Sequence, residues 1–334
     1  MTRRTTYRVA GASLLVETRD AWSAEAIDAL FPGWYLTQET DGGGTASTPA
    51  ITLESGTVPG RIPARLTEFA VAGGGTCYTD GRASYIDIEG SVVAIGLPER
   101  ADVEVWIDGP LPLESPALTR LVTYALSAAL RQQRRYELHS GAVVDPRSGT
   151  GVLMAGPSGS GKSTMAVHLA SAGWPFLTDD VLLLGRDADG VTAWPLRRRF
   201  AITSATYAAS RFLQDRTALD AGDVQQGKRP FAPHDVFAGG FRDHCQPGVL
   251  LFPELSGAAR SDVERLTPGD TMARLIRLNP WSCYDRTTAP GHLSVLSALT
   301  RQVVAFSVRA GRDVLDAAAA VALVDGCVRQ AVDR

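Results

Sequence analysis

Apolar and polar positions alternate with a period of two in several stretches of the first third of the chain. Val103-Glu104-Val105-Trp106-Ile107 does so most cleanly. Val9, Leu14-Leu15-Val16, Ile51-Thr52-Leu53, Tyr85-Ile86-Asp87-Ile88 and Val92-Val93-Ala94-Ile95 read as further strands. Ala21 to Leu30 has the spacing of a short helix, entered at Ser23. Two glycine runs, Gly42-Gly43-Gly44 and Gly73-Gly74-Gly75, predict loops. The period then changes to that of a helix. Leu118, Leu121, Val122, Ala125, Leu126, Ala129 and Leu130 form one apolar face, behind an N-cap at Ser115 and a proline at the first helical position. Arg131, Arg134 and Arg135 crowd its last turn, where positive charge offsets the helix dipole.

From Tyr136 onward, short apolar strands are interleaved with helices. Strands are predicted over Tyr136 to Val144, Gly151 to Ala155, Val181 to Leu184, Val191 to Leu196, Val249 to Phe252 and Val303 to Val308. Helices are predicted over Thr164 to Ala172, Met272 to Leu278 and Asp313 to Val332, with a polar stretch from 210 to 247. Such alternation predicts an α/β domain. The organisation expected is therefore a β-rich α+β domain over 1–113, a connecting helix over 114–135 and an α/β domain over 136–334. A length of 334 residues suits two domains rather than one core.

The strand at Gly151 to Ala155 runs into Gly156-Pro157-Ser158-Gly159-Ser160-Gly161-Lys162-Ser163-Thr164, which fits G-x-x-x-x-G-K-[ST] and opens a helix. Strand, glycine-rich loop and helix N-terminus together make a phosphate cradle, because backbone N–H groups converge there and the helix dipole favours negative charge. In such a loop Lys162 reaches the β- and γ-phosphates and the Ser163 hydroxyl ligates Mg²⁺. A nucleoside triphosphate, with ATP foremost, is the expected ligand. Asp179 and Asp180 follow 17 and 18 residues after Lys162, ahead of the apolar run Val181-Leu182-Leu183-Leu184. Two adjacent carboxylates beside such a run need a metal or a cation to meet them. His139 lies on the strand preceding the loop, the place for a titratable group that acts on phosphate or on a base.

Composition narrows the classes. Apolar content of 45% and charged content of 21% are those of a folded protein, and a net charge of −3 gives no electrostatic reason to expect nucleic acid or an anionic membrane. The four cysteines, Cys77, Cys245, Cys283 and Cys327, show no C-x-x-C spacing, which argues against a zinc site and a disulfide framework. Met1-Thr2-Arg3-Arg4 is followed by polar residues, and the apolar run that starts at Ala317 is too short to span a bilayer. A cytoplasmic location is expected; a homo-oligomer stays open.

The wording of the loop suits a transport-type ATPase, but that class requires an L-S-G-G-Q signature. Leu255-Ser256-Gly257-Ala258-Ala259 is the nearest stretch, and no Asp-Glu-terminated strand follows it. An Asn-Lys-x-Asp motif for guanine is absent as well. The arrangement of His139 in Leu138-His139-Ser140-Gly141-Ala142-Val143-Val144, the loop, the Asp179-Asp180 pair and a late Val308-Arg309-Ala310-Gly311-Arg312-Asp313 segment resembles the HPr kinase/phosphorylase family and its HPr-kinase-related branch, such as lasso-peptide kinases. The resemblance covers about residues 136 to 185 and, more loosely, 300 to 325. It implies a P-loop kinase domain of the HPr-kinase/phosphoenolpyruvate-carboxykinase type that uses ATP and Mg²⁺ to phosphorylate a hydroxyl. The acceptor it implies is a serine of a peptide or protein, with a small hydroxyl compound as the alternative and a nucleotide-binding regulator as a different class. One Asp of the pair would be the general base and the other would lie near Mg²⁺ with Ser163. His139 would position the γ-phosphate or the base, and Lys162 would neutralise charge on the transferring group. Lys228, Arg229, Arg309 and Arg312 are candidate contacts to phosphate or substrate, the first two in a polar loop. No Glu-x-Arg-Gly stretch follows Asp180, so HPr itself and the phosphorylase reaction are not expected. His234, Asp235, Asp243 and His244 are expected to be loop residues rather than metal ligands.

Overall fold

In the computed structural model, residues 1–39, 50–56, 66–71, 74–96, 102–216 and 227–333 are described. The predicted loop at Gly42-Gly43-Gly44 lies outside them, as does Gly73 of the second glycine run. The chain packs as two units, Met1–Tyr136 with Trp281–His292, and Glu137–Pro280 with Leu293–Arg334.

The first unit contains strands β1 (Arg3–Val9), β2 (Ala12–Thr18), β3 (Thr37–Gln38), β4 (Ile51–Gly56), β5 (Thr67–Ala70), β6 (Thr76–Thr79), β7 (Ser84–Ile88), β8 (Ser91–Ile95) and β9 (Val103–Asp108), with helices α1 (Ala21–Leu30) and α2 (Pro116–Gln132). Among the described residues they form a sheet in the order β3-β1-β2-β4-β9-β8-β7-β6-β5. Every run read as a strand from its alternation is one. The entry to α1 differs from expectation. Asp20, not Ser23, is the N-cap, and the two side chains close a reciprocal capping box. At α2, Pro116 holds the first position while the Ser115 side chain makes no capping bond. The helix expected to connect domains lies within the first unit, and its apolar face, Leu118, Leu121, Val122, Ala125 and Leu126, is buried. Arg131 does more than offset a dipole. It is 2% exposed, lies 3.8 Å from Asp285 and stacks over Trp281 at 4.8 Å from the ring centroid. A buried guanidinium needs such a partner, and the late segment 281–292 supplies it.

The second unit carries β10 (Tyr136–Val144), β11 (Gly151–Ala155), α3 (Lys162–Ser171), β12 (Phe176–Thr178), β13 (Val181–Asp187), β14 (Gly190–Pro195), β15 (Phe200–Thr203), α4 (Ser204–Ala209), α5 (Arg211–Gln214), β16 (Lys228–Phe231), α6 (Pro233–Val236), β17 (Pro247–Leu255), β18 (Asp262–Arg265) and α7 (Pro268–Leu278). After α8 (Trp281–Tyr284), in the first unit, α9 (Ala289–Gln302), β19 (Val304–Ala310) and α10 (Ala317–Val332) complete the chain. The main sheet runs β14-β13-β10-β11-β17-β19-β18, with β12 also paired to β10. Strand β11 is antiparallel to β10 on one side (Gly141 opposite Met154) and parallel to β17 on the other (Met154 opposite Leu251). Strand β19 continues the parallel set beside β17. The closing helix starts later than expected, at Ala317, because Asp316 caps it by accepting from the Ala319 amide.

Met154 and Val152 of β11, Met165 and Leu169 of α3, and Val324 and Val328 of α10 share one buried cluster. Full burial of each such side chain is worth about 1.5–3 kcal/mol, so the helix that carries Lys162 is held firmly beneath its loop. No helix is long and apolar enough to cross a membrane among the described residues.

Candidate active site

The loop after β11 has the backbone that its glycines allow. Gly159 and Gly161 have φ of +83° and +101°, and Gly161 is the N-cap of α3. A β-carbon at Gly156 would stand 2.8 Å from Ser160 Oγ. Replacing Gly161 with alanine is expected to destabilise the protein by about 1–2 kcal/mol and to weaken triphosphate binding with it. Urea unfolding and ATP titration of the same variant check both.

Lys162 is buried, and its Nζ donates to the Gly156 and Pro157 carbonyls at 2.7 and 2.8 Å. Burial lowers its pKa to about 8, with Asp180 pulling upward and Lys228 pushing downward. The Thr164 hydroxyl meets that of Thr206 at 2.9 Å, and Thr206 meets Thr203 at 3.0 Å, tying α3 to the start of α4. Thr164 is thereby a structural tie as well as a loop residue.

Strand β12 delivers the two aspartates. Phe176 anchors it, with ring centroids 5.5 Å from Phe200 and 5.6 Å from Phe237. Asp179 follows and is 1% exposed. Its Oδ2 accepts from the Ala201 amide at 3.1 Å, whereas Oδ1 is buried with no hydrogen-bond partner. Burial and the neighbouring Asp180 push its pKa up to about 7, against the Ala201 amide, the Ser163 hydroxyl and the Lys228 charge. The backbone of Asp179 approaches β10 at Gly141, where a β-carbon would meet it at 3.5 Å.

Asp180 is set differently. Its side chain is 27% exposed, with Oδ1 3.2 Å from His139 Nδ1 and Oδ2 3.7 Å from Arg197 Nη1. Burial lowers the pKa of His139, Lys162, Lys228 and Arg197 push the same way, and Asp180 opposes them. The imidazole is therefore neutral at physiological pH, a polar neighbour of Asp180 rather than a second cation.

The structure thus brings together His139, Lys162, Ser163, Asp179 and Asp180, and adds Lys228 and Arg197. Lys228 is on a strand rather than in a polar loop: β16 pairs antiparallel with β15, Thr203 facing Lys228. Arg229, next to it, faces Ile202 across the same pair. Arg197, in the basic run Arg197-Arg198-Arg199, carries no motif of its own; the signal in the sequence is its place two residues after β14, the partner of β13. Arg309 is exposed and ion-paired with Asp262 of β18. Arg312 starts a turn whose amide donates to Ala258. Nothing brings either arginine to the aspartate pair. His234 and Asp235 lie in α6 rather than in a loop, with His234 packed against Phe176 and Phe241, while Asp243 and His244 lie outside helix and strand and pair with each other at the surface.

The donor set fits a magnesium ion better than a transition metal. Among the described residues no group of three His, Cys, Asp or Glu side chains could hold a metal. Mg²⁺ takes one or two carboxylates plus phosphate oxygens and water, and the orphaned Asp179 Oδ1 is a carboxylate oxygen without a partner. The free, mostly buried cysteines form no disulfide.

No protein-family description matches the chain, and no curated protein matches it. Among solved structures it is similar to the Hpr(Ser) kinase/phosphatase from Coxiella burnetii, at 12% identity over 58% of this chain and 88% of that one, with a TM-score of 0.28.

Proposed function

We propose that the protein is an ATP- and Mg²⁺-dependent kinase that moves the γ-phosphoryl group onto an alcohol. One observation carries the reading: a P-loop lysine, which opens α3 after β11, comes together with an aspartate pair that follows β12, both strands pairing with β10, and of the two carboxyls one is buried and the other open beside His139. Divided environments of this kind separate the roles of paired carboxyl groups.

Ser163 and Asp179 would hold the metal ion, which supplies charge neutralisation on the β- and γ-phosphate oxygens. Lys162 exchanges its two loop carbonyls for phosphate oxygens, and its charge is favoured again once it faces them. Asp180 is the general base. The acceptor hydroxyl gives its proton to an Asp180 oxygen as its own oxygen bonds to the γ-phosphorus; the bond from that phosphorus to the β–γ bridging oxygen breaks, and ADP leaves. His139 stands against Asp180 and fixes its orientation, while Arg197 and Lys228 offset charge on the transferring group. The acceptor is an alcohol; the family resemblance of the sequence favours a serine on a peptide or protein.

The test is ADP formation and phosphoserine production from ATP, Mg²⁺ and a library of serine-containing peptides and small alcohols. Wild-type protein is expected to yield a phosphorylated product, and Lys162→Ala to lower its rate by roughly 10²–10³-fold. Tight ATP binding with no phosphorylated product from any member would replace this reading by a nucleotide-binding regulator.

A further inference from the structure

A cavity of about 310 Å³ opens in the first unit, lined by Arg19, Asp20, Glu54, Ser55, Gly56 and Trp106. Strand direction places it. Strands β2, β4 and β9 are parallel neighbours, and the lining residues gather where their carboxyl ends meet the start of α1. In open sheets, ligands bind in crevices outside the carboxyl ends of parallel strands. Most polar atoms of the wall are already committed. Asp20 accepts from the Ser23 and Ser55 amides, each at 2.8 Å. The buried Glu17 takes Arg4 at 2.8 Å and Arg19 at 3.1 Å, and Arg19 Nη1 also donates to Glu54 Oε2 at 3.1 Å. Glu54 Oε1 is left without a partner among the described residues. The group therefore holds three carboxylates, Glu17, Asp20 and Glu54, against two guanidinium groups, Arg4 and Arg19. One positive charge would balance it.

We infer that this cavity receives the guanidinium group of an arginine side chain presented by a peptide partner. Trp106 supplies the shape. It stands opposite Glu54 in the pairing of β4 with β9, so the two side chains leave the same face of the sheet. Trp106 packs with Val92, Ala94 and Tyr85, yet among the described residues no cation lies over its ring and no other ring stacks on it. A guanidinium is planar, so it can lie flat on an indole while its N–H groups donate sideways to a carboxylate oxygen. Glu54 Oε1 is the oxygen for that bond. Arg19 offers little repulsion, because Glu17 and Glu54 both engage its charge. An anionic ligand would instead meet the carboxylate excess. The volume is at the lower end of small-molecule sites, room for one long side chain with the chain that carries it outside. Every lining residue belongs to the first unit, so the inference stands apart from the kinase reading.

Titration of the full chain with N-acetyl-arginine methylamide tests it, read from the indole N–H resonance that Trp106→Phe removes. Wild-type protein is expected to show a saturable shift of that resonance, with a dissociation constant on the order of 1 mM. The citrulline analogue, of the same shape but neutral, is expected to bind about tenfold or more weakly. The lysine analogue, charged but without the plane, is expected to fall between them. Glu54→Gln keeps the size of the side chain and an acceptor for Arg19, and is expected to weaken arginine binding about tenfold. No saturable shift, equal binding of the citrulline analogue, or unchanged affinity in Glu54→Gln overturns the site. Lysine binding as tight as arginine overturns the guanidinium assignment, and free arginine binding more tightly than the capped probe overturns the peptide source. Should Glu54→Gln fail to fold, the contrast between arginine and citrulline on wild-type protein decides alone.

Discussion

Asp180→Asn is expected to slow phosphoryl transfer by roughly 10²–10⁴-fold, the usual contribution of a positioned general base, with ATP affinity little changed. The side chain keeps its size and its contact with His139, so the fold has no reason to respond. What is lost is the lone pair that receives the acceptor's proton. Single-turnover kinetics with a phosphorylatable acceptor, read beside ATP titration, make the distinction. A rate within a few-fold of wild type would take the base role from Asp180.

Asp179→Asn is expected to raise stability while abolishing metal-dependent turnover, the second large effect. In the folded protein the Asp179 carboxyl has its pKa raised to about 7 from an ordinary 3.8. The unfolded chain therefore releases this proton at lower pH than the folded one. Below the unfolded value both states are protonated and the group costs nothing; as pH rises through the window up to about 7, stability is lost, and above it the loss is complete. At about 1.4 kcal/mol per unit the loss is on the order of 4 kcal/mol. Asparagine never ionises and can still accept from the Ala201 amide. Without metal, the melting temperature of the variant should match wild type near pH 4 and exceed it increasingly up to pH 7–8. A constant difference across that range would show that Asp179 does not titrate as a buried acid. A group that destabilises the resting protein and would hold a metal there illustrates how functional sites trade stability for chemistry.

The readable parts of this protein were those in which one short stretch carries its own structural cause. Alternation in Val103 to Ile107 needs only a half-buried sheet to make sense, and the phosphate loop needs only its own glycines and the helix it opens. The aspartate pair was legible because charge beside an apolar strand demands a partner. Lys228 and Arg197 were harder to place, since each reaches the site through strand pairing with residues far along the chain: β16 on β15, and β14 on β13. The late segment 281–292 gave no periodic signal of belonging with the first unit; a buried arginine more than a hundred positions earlier decides it. The cap of α1 at Asp20 went unrecognised because Asp20 and Ser23 are both good caps, and the reciprocal bond between them does not show in composition.

The hairpin of β10 and β11 has a consequence for how the protein comes into being. His139, the loop, Lys162, Ser163 and both aspartates lie within one continuous stretch of chain, and their strands are next to each other in sequence as in space. Contacts of short sequence separation form early and fast. The parallel neighbour β17 is synthesised only later, after β15, β16 and the chain between them. As the polypeptide emerges from the ribosome, the candidate site groups are therefore all present before the strand that braces the far side of the loop exists, and a chain still being made carries the phosphate loop with one of its two flanks unsupported.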